Sequence, residues 1–264
     1  MNLPPASESA QNTHLTGLRV LTTRPQSGSD ALQGLLQQRG AEVVNCPVIE
    51  FAAADQGPIK AITERIGGFS MLVFLSRRGV WASESLLQKV AGSPIPMAAI
   101  GAGSAECLRQ LGYQVTLVPE QSNSESMANA LIDYFRQNSL SKPLLVLRGD
   151  RGSEVLPQAL SRAGVGYREV VVYESRDIQT VDPELRQRLA AGGFDWLTVT
   201  SSSIAANTAK LFGAAIGQTK IVSISPTTSA AAVAAGLSIS AEATDYSPRG
   251  IVEAIGNCEE TLRS

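Results

Sequence analysis

The chain has 264 residues, of which 44% are hydrophobic, and this is enough apolar sequence to bury the cores of two ordinary domains. Its formal net charge of −2 excludes the basic excess typical of nucleic-acid-binding proteins, so we expect a small-molecule partner and no nucleic acid. The single histidine, His14, lies in a polar amino-terminal segment, which excludes Ser-His-Asp and Cys-His catalysis and histidine-based metal sites inside the fold.

Residues 1–16 contain Pro, Ser, Asn and Gln but neither a basic start nor an apolar core, and they predict a disordered tail and not a signal peptide. No apolar run reaches the length that spans a membrane. Cys46, Cys107 and Cys258 are widely separated and lack the spacing of metal ligands, which fits a reducing compartment. We therefore expect a cytoplasmic protein without a metal site or membrane association.

Short Val-, Ile- and Leu-rich runs alternate with helical patterns along the chain, and this predicts an α/β fold with parallel sheets covered by helices. In the first half the predicted elements are a strand at Arg19–Thr23, a helix at Ser27–Arg39, an extended run at Glu42–Phe51, a helix at Pro58–Ile66, a strand at Met71–Leu75, a helix at Val80–Val90, a strand end and helix at Ile100–Gly112, a strand at Gln114–Val118 and a helix at Ser124–Gln137.

A similar series then begins again, displaced by 124 or 125 positions. It comprises a strand at Leu144–Arg148, a helix at Ser153–Arg162, an extended run at Tyr167–Ser175, a strand and turn at Leu197–Ile204, a strand at Lys220–Ile224, a strand end and helix at Ile224–Gly236, a strand at Leu237–Ala241 and a helix from Pro248. α/β units resemble one another by default, but a nearly constant offset over five elements predicts an internal duplication.

The duplication predicts two α/β domains, but it leaves the role of the two extended runs open. Glu42–Phe51 and Tyr167–Ser175 occupy the same place in each half and carry polar neighbours among their valines. They could be sheet strands of separate domains or crossings between domains.

The segments Ile100–Gly112 and Ile224–Gly236 share one pattern: a strand end, a turn of small residues, a short helix and a glycine stop. A hydroxyl residue, Ser104 or Thr228, is expected where each helix begins. Such a helix start presents free backbone N–H groups and the positive end of the helix dipole, which favours an anionic ligand. Ser76 is a plausible N-cap for the helix that follows the strand Met71–Leu75.

The order and spacing of seven short motifs resemble the uroporphyrinogen-III synthase family. The motifs are VLTTRP at Val20–Pro25, FLSRRGV at Phe74–Val80, AAIGAGSAECL at Ala98–Leu108, LVLRGDRG at Leu145–Gly152, VVVYES at Val170–Ser175, TVTSSS at Thr198–Ser203 and SISPTTSAA at Ser223–Ala231. The resemblance implies two α/β domains with the substrate in the cleft between them. One domain would comprise residues 17–45 plus 176–264, the other residues 52–166, and residues 46–51 and 167–175 would form a two-stranded linker.

The resemblance also implies a reaction, the cyclisation of hydroxymethylbilane to uroporphyrinogen III with loss of water and inversion of ring D. The protein would be a cofactor-free, monomeric lyase of tetrapyrrole biosynthesis, the route to haem, sirohaem and cobalamin. Such an enzyme acts mainly by holding the bilane in a folded shape, which a site without histidine can do. The alternative is a non-catalytic, hinge-type binding protein for a small anionic ligand, which would give only the type I isomer of the uncatalysed closure.

Tyr173 and the pair Thr227 and Thr228 match residues of the family, whereas the serine candidates are chosen from helix starts in the two repeats and the arginine candidates from strand ends. Tyr173 is the candidate proton donor to the departing hydroxyl, with a structural aromatic on a linker strand as the alternative. The candidates for binding the substrate's carboxylates are Thr227, Thr228, Ser76, Ser104, Ser201, Ser203, Arg78 and Arg148. For the serines a plain capping role is the alternative, and for the arginines a solvated surface position is. Ser225 stands where the family usually has glycine, which puts close backbone approach to the substrate in doubt.

Overall fold

The computed structural model of the protein describes residues 15–25 and 31–263, and it divides the chain into two units. The first unit comprises the described residues up to Glu50 together with those from Arg176 onward, and the second comprises Phe51–Ser175. His14 and most of the predicted tail lie outside the described residues, as do residues 27–30 of the first predicted helix. Leu15, which the sequence places in the tail, is instead fully buried in the core of the first unit.

The strands are β1 (Arg19–Thr22), β2 (Glu42–Asn45), β3 (Ile49–Ala53), β4 (Met71–Phe74), β5 (Met97–Ala99), β6 (Leu144–Gly149), β7 (Tyr167–Asp177), β8 (Trp196–Val199), β9 (Lys220–Ser223) and β10 (Ala241–Glu242). The helices are α1 (Ala31–Gln38), α2 (Gln56–Thr63), α3 (Arg77–Ala82), α4 (Glu84–Lys89), α5 (Ala102–Gln110), α6 (Ser124–Gln137), α7 (Val155–Arg162), α8 (Pro183–Ala190), α9 (Ser202–Phe212), α10 (Pro226–Ala234) and α11 (Pro248–Arg263), with 3-10 turns at Ile66–Gly68 and Gly213–Ile216.

Each unit is built on one five-stranded sheet. The strand order is β10-β9-β8-β1-β2 in one sheet and β3-β7-β6-β4-β5 in the other. Strands β1, β2, β8, β9 and β10 pair in parallel, and so do β4, β5, β6 and β7. The prediction of an α/β fold with parallel sheets is therefore confirmed.

Strand β4 shows why the sheet of the second unit is covered on both faces. All four of its residues are buried. Leu72 and Phe74 belong to the core on one face, and Met71 and Val73 to the core on the other. Because successive side chains of a strand point to opposite faces, an uninterrupted apolar run is the pattern expected for a strand between two helical layers.

The extended run predicted at Glu42–Phe51 is two strands in the structure, which corrects that prediction. Strand β2 pairs with β1 in the first sheet, whereas β3 lies beside β7 in the other. Cys46 and Pro47 separate them, since proline has no N–H to continue a ladder. The division between the units falls inside both β3 and β7, so each of these strands has residues in both units.

Two further predictions need correction in the second unit. The helix predicted at Val80–Val90 is divided into α3 and α4, because the buried Ser83 hydroxyl bonds back to the Gly79 carbonyl at 2.6 Å and its backbone leaves the helical region. The strand predicted at Gln114–Val118 is reduced to one bridge, between Ala98 and Leu117. The helix predicted at Ser124–Gln137 is confirmed with the same bounds.

The segments of the first unit that lead into β3 and out of β7 are tied together by Asn207 of helix α9. Its buried side-chain Nδ2 donates to the carbonyls of Val48 and Ile178, the latter at 3.0 Å. The Ile178 N–H also donates to the Val48 carbonyl at 3.0 Å.

Among the described residues, no helix is long and apolar enough to cross a membrane.

Candidate functional site

Four strand-to-helix junctions have the same backbone geometry. The residues before α3, α9 and α10 are Ser76, Ser201 and Ser225, each with φ between −168° and −164° and ψ between 158° and 162°. Each serine Oγ accepts the N–H of the third helical residue, at 2.9 Å in α3, 3.2 Å in α9 and 3.3 Å in α10. Gly101 adopts a similar extended conformation before α5 but offers no side chain. The junctions follow parallel strands at their carboxyl ends, where open α/β sheets bind ligands.

The predicted residues at these junctions occupy three positions relative to the helix: the N-cap, the second helical residue and the third helical residue. Ser76 and Ser201 are N-caps, as the sequence predicts. Ser104 and Thr228, expected at the helix starts, are instead the third residues of their helices. They are 5% and 3% exposed, and the Thr228 hydroxyl lies 3.1 Å from the Ser225 hydroxyl. Both therefore pack under the first turn and do not face solvent.

Three of the predicted side chains stand at the second position of a helix, and all three are at least partly accessible. Arg78 and Ser203 are half-buried and Thr227 is exposed at this position. The backbone N–H groups of a helix's first turn lack partners within the helix, so an anion that approaches there meets both those N–H groups and the second side chain. Arg78, Ser203 and Thr227 are therefore the side chains of this set best placed to contact a ligand.

Tyr173 lies at the strand-to-helix junction after β4. Its Oη accepts a hydrogen bond of 3.2 Å from the Ser76 hydroxyl, which leaves the phenolic hydrogen available for another acceptor. The ring is in edge-to-face contact with Phe51 of β3, with centroids 5.6 Å apart and an angle of 84°. Tyr173 is thus held by both a polar and an aromatic contact while remaining partly exposed.

A β-bulge and a glycine make room for this tyrosine. In the β6–β7 pair the register shifts, so that Arg148 is opposite Val171 and Gly149 is opposite Tyr173. A Cβ on Gly149 would lie 2.6 Å from the Tyr173 Cζ and 2.8 Å from its Oη. Since real Cβ atoms are not found that close, the tyrosine ring occupies space that only glycine leaves free.

The position of this tyrosine coincides with the topological switch point of its sheet. The chain runs outward from β4 to β5 on one side and from β6 to β7 on the other, and β4 and β6 are neighbours. Ser76 follows β4 and Gly149 ends β6, so the tyrosine hydroxyl sits where these two strand ends meet. Open α/β sheets bind ligands at this place because the loops on the two sides diverge there.

Arg78 is the cationic group of this area. Its guanidinium lies over the Phe51 ring, 3.8 Å from the ring centroid. Within the described part of the chain it has no hydrogen bond or ion pair with a carboxylate. Burial lowers the pKa of Arg78 below its usual value, although the group remains charged at neutral pH. An accessible, uncompensated guanidinium of this kind can bind a ligand carboxylate.

Arg148 is not available for that role, which corrects the sequence-based expectation. The residue is 6% exposed, and its guanidinium is paired with Glu169 and, at 3.2 Å, with Glu154. It also donates to the Gly152 carbonyl. A substrate carboxylate would have to replace acceptors that already neutralise this buried charge, so Arg148 stabilises the loop after β6.

Two functional candidates, Phe51 and Gly149, and the N-cap role of Ser225 are missing from the sequence-based site. Phe51 and Gly149 become recognisable only through their contacts with Arg78 and Tyr173, which come from distant parts of the chain. Ser225 could have been found, because serine immediately before Pro226 is the usual N-cap and N1 pair of a helix. No group of three or more His, Cys, Asp or Glu side chains that could hold a metal occurs in residues 15–25 and 31–263.

Comparison with known proteins supports the same family throughout. The family model described as uroporphyrinogen-III synthase HemD matches residues 30–253. The uroporphyrinogen-III synthase of Synechococcus elongatus is 28% identical over 255 residues, which cover 91% of this chain and 95% of that protein. The enzyme of the same name from Escherichia coli is 28% identical over 191 residues, covering 71% and 77%.

Solved structures show the same fold. A crystal structure of mutant uroporphyrinogen III synthase from Thermus thermophilus has a TM-score of 0.58 at 15% identity and covers 92% of this chain and 99% of its own. The crystal structure of uroporphyrinogen-III synthetase from Helicobacter pylori has a TM-score of 0.59 at 18% identity, with coverage of 89% and 97%.

Proposed function

The chain belongs to the uroporphyrinogen-III synthase family, and from this premise we propose how its residues serve the family's reaction. The enzyme cyclises hydroxymethylbilane to uroporphyrinogen III in tetrapyrrole biosynthesis, with loss of water and inversion of ring D. The bilane is electron-rich and can expel its own hydroxyl once that hydroxyl is protonated or hydrogen-bonded. The protein's tasks are therefore to assist this departure and to hold the chain so that closure occurs with inversion.

Tyr173 is the proposed donor to the departing hydroxyl. The observation that carries this proposal is the Ser76–Tyr173 hydrogen bond, because a phenol that accepts from Ser76 keeps its own hydrogen for the substrate. The tyrosine also lies at the switch point of its sheet and its ring is fixed by Phe51. A donor held in one orientation reduces the entropy lost when the substrate reaches the reactive geometry.

Carboxylate binding is proposed for the accessible residues at the helix starts. The substrate carries several acetate and propionate groups, and the chain offers several hydroxyl-capped helix starts distributed over both units. Arg78, Ser203 and Thr227 would contact carboxylates through their side chains, and Ser201 through its junction's N–H groups. Ser76, Ser104 and Thr228 are proposed to support these turns from below, since their hydroxyls are buried or already bonded.

An internal duplication is proposed as the origin of the two sheets. Starting from β10, the first sheet runs β10-β9-β8-β1-β2; starting from the Leu117 bridge, the other runs Leu117-β5-β4-β6-β7. When the two orders are aligned, the strands at equivalent positions lie about 124 residues apart in the sequence, which is the offset between the two series of predicted elements. Strands β3 and β7, in which the division between the units falls, are proposed as the two linker strands.

The direct test is the product formed from freshly prepared hydroxymethylbilane. The purified protein is expected to give mainly the type III isomer, which is separated from type I by chromatography after oxidation to the porphyrin. A heat-inactivated sample is the control for uncatalysed closure. If the active protein and this control give the same excess of type I isomer, the chain lacks the activity of its family.

A further inference from the structure

An open pocket of about 210 Å³ lies beside Tyr173 in the second unit. Phe51, Gln56, Arg78, Trp81, Val172 and Tyr173 line it, together with alanine side chains. This volume is smaller than the roughly 300–1,000 Å³ of pockets that take drug-sized ligands. The pocket can therefore hold one small ring and a short side chain, but not a whole tetrapyrrole.

Arg78 gives this pocket a positive charge that no lining residue neutralises. It is the one ionised side chain among the lining residues at neutral pH, since none of the others is Asp, Glu or Lys. Stacking on Phe51 holds the guanidinium in place without using its N–H donors, which lie in the plane of the group. The donors remain free to bind both oxygens of a carboxylate.

The remaining lining includes the aromatic side chains of Phe51, Trp81 and Tyr173. Trp81 is three residues beyond Arg78 on helix α3, on the same helix face, and is 52% exposed. An indole left this open to water has apolar area that a planar ring can cover. Tyr173 and Val172 also line the pocket.

We propose that this pocket binds one pyrrole ring of the substrate, with Arg78 bound to a carboxylate on that ring's own side chain and Trp81 packed against the ring. This inference rests on the proposed function and adds to it where one ring lies relative to the proposed proton donor. The ring would be held next to Tyr173 Oη, with its carboxylate at the guanidinium. Where the bound ring is the one that carries the hydroxymethyl group, its C–O bond breaks and the hydroxyl leaves as water with the proton of Tyr173, which leaves a cationic ring and a phenolate. An Arg78 that is paired with a carboxylate does not oppose the positive charge on that ring.

The test uses a monopyrrole that carries one acetate and one propionate side chain, titrated into the protein while tryptophan fluorescence is recorded. The chain has two tryptophans, and Trp196 is fully buried in the first unit, so a saturable change is expected to come from Trp81. The Trp81→Phe variant is expected to lose the change. Arg78→Gln should weaken binding roughly tenfold, and Arg78→Lys should weaken it less, because lysine keeps the charge but not the bidentate geometry.

Arg77→Gln is the matched control, since this neighbouring arginine is exposed and does not line the pocket. It should bind the monopyrrole as the wild type does. The pocket proposal is overturned if the wild type shows no saturable change, or if Arg78→Gln and Arg77→Gln bind alike. The type III isomer assay is run on the same wild-type sample. If the sample forms the type III isomer but the binding results contradict the pocket, only the pocket proposal fails; if it forms no excess of type III isomer, the proposed function itself fails.

Discussion

The Ser76 hydroxyl joins the start of helix α3 to the phenol of Tyr173: it accepts the Gly79 N–H at 2.9 Å and donates to Tyr173 Oη at 3.2 Å. One side chain thus caps a helix and orients the proposed proton donor. Because the cap fixes the serine rotamer, it also fixes the direction from which the tyrosine oxygen receives its hydrogen bond. We therefore propose that Ser76 positions Tyr173.

Ser76→Ala is expected to lower kcat roughly 3- to 10-fold with little change in KM, because the tyrosine loses a neutral hydrogen bond that orients it. The variant should also lose about 1 kcal/mol of stability with its N-cap. Steady-state kinetics and urea unfolding measure the two effects separately. Ser76→Thr keeps the hydroxyl and should recover most of kcat; if Ser76→Ala raises KM and leaves kcat intact, the serine binds substrate directly.

Gly149→Ala is expected to lower kcat, because the new Cβ would lie 2.6 Å from the Tyr173 Cζ and push the ring out of place. Gly67→Ala is the matched control within the same unit, since a Cβ there has no atom within 4 Å and the residue has no positive φ. Both variants are assayed for type III isomer at saturating substrate. Equal kcat values for the two would show that Tyr173 moves aside at no catalytic cost.

The contrast between Ser76 and Gly149 shows how far the sequence predicts the site. Hydroxyl residues directly after apolar strands are local signals, and they correctly predict the N-caps Ser76 and Ser201. The space that Gly149 leaves for Tyr173 is a contact between two strands 24 positions apart, and it depends on the bulge between Arg148 and Gly149. The spacing of apolar residues along the sequence does not reveal such a bulge.

Thr227→Val and Thr228→Val are expected to behave differently although the residues are neighbours. Thr227 is exposed at the second position of α10, so its loss should raise KM roughly 3- to 10-fold through a missing hydrogen bond to substrate. Thr228 is buried against Ser225, so its loss should reduce stability by about 1 kcal/mol with KM little changed. A rise in KM for Thr228→Val alone would reverse the assignment.

Ser225 shows why the sequence-based helix start at Thr228 is three residues late. The threonine pair attracts attention because its hydroxyls match the family motif, but Pro226 fixes the first helical residue and so places the cap at Ser225. The same count places Gly101, not Ser104, at the cap of α5. Helix boundaries predicted from pattern alone are uncertain by about two to four residues. Within α10, one position separates the exposed Thr227 from the buried Thr228.

Asp195→Asn is expected to lower the urea midpoint of the first unit at neutral pH. The Asp195 carboxylate accepts the Arg19 backbone N–H at 2.7 Å and its guanidinium at 3.1 and 3.2 Å. Burial tends to raise the pKa of Asp195, but the hydrogen bonds and charge of Arg19 outweigh it and hold the pKa below the ordinary value. The carboxylate therefore contributes stability above about pH 4, and the contribution is lost as pH falls through the lowered pKa.

The difference in urea midpoint between wild type and Asp195→Asn should accordingly shrink as the pH of the unfolding measurement is lowered stepwise through the lowered pKa of Asp195. Fluorescence of Trp196 in a Trp81→Phe background follows the first unit. Glu253→Gln, which removes the more exposed Arg249–Glu253 pair, is the control and should change the midpoint little at either pH. If the urea midpoint of Asp195→Asn lies as far below that of the wild type in acid as at neutral pH, loss of the ion pair is not the cause of the destabilisation.

The central claim, that the Tyr173 hydroxyl assists departure of the substrate's hydroxyl, is tested most directly by the kinetics of Tyr173→Phe. This variant keeps the ring that contacts Phe51 and removes the hydroxyl, which is both the proposed donor to substrate and the acceptor of the Ser76 hydrogen bond. The rate of type III formation should fall roughly 10²-fold in kcat, as for loss of a general acid, with KM within about a factor of two. A Tyr173→Phe enzyme with wild-type kcat would contradict the account.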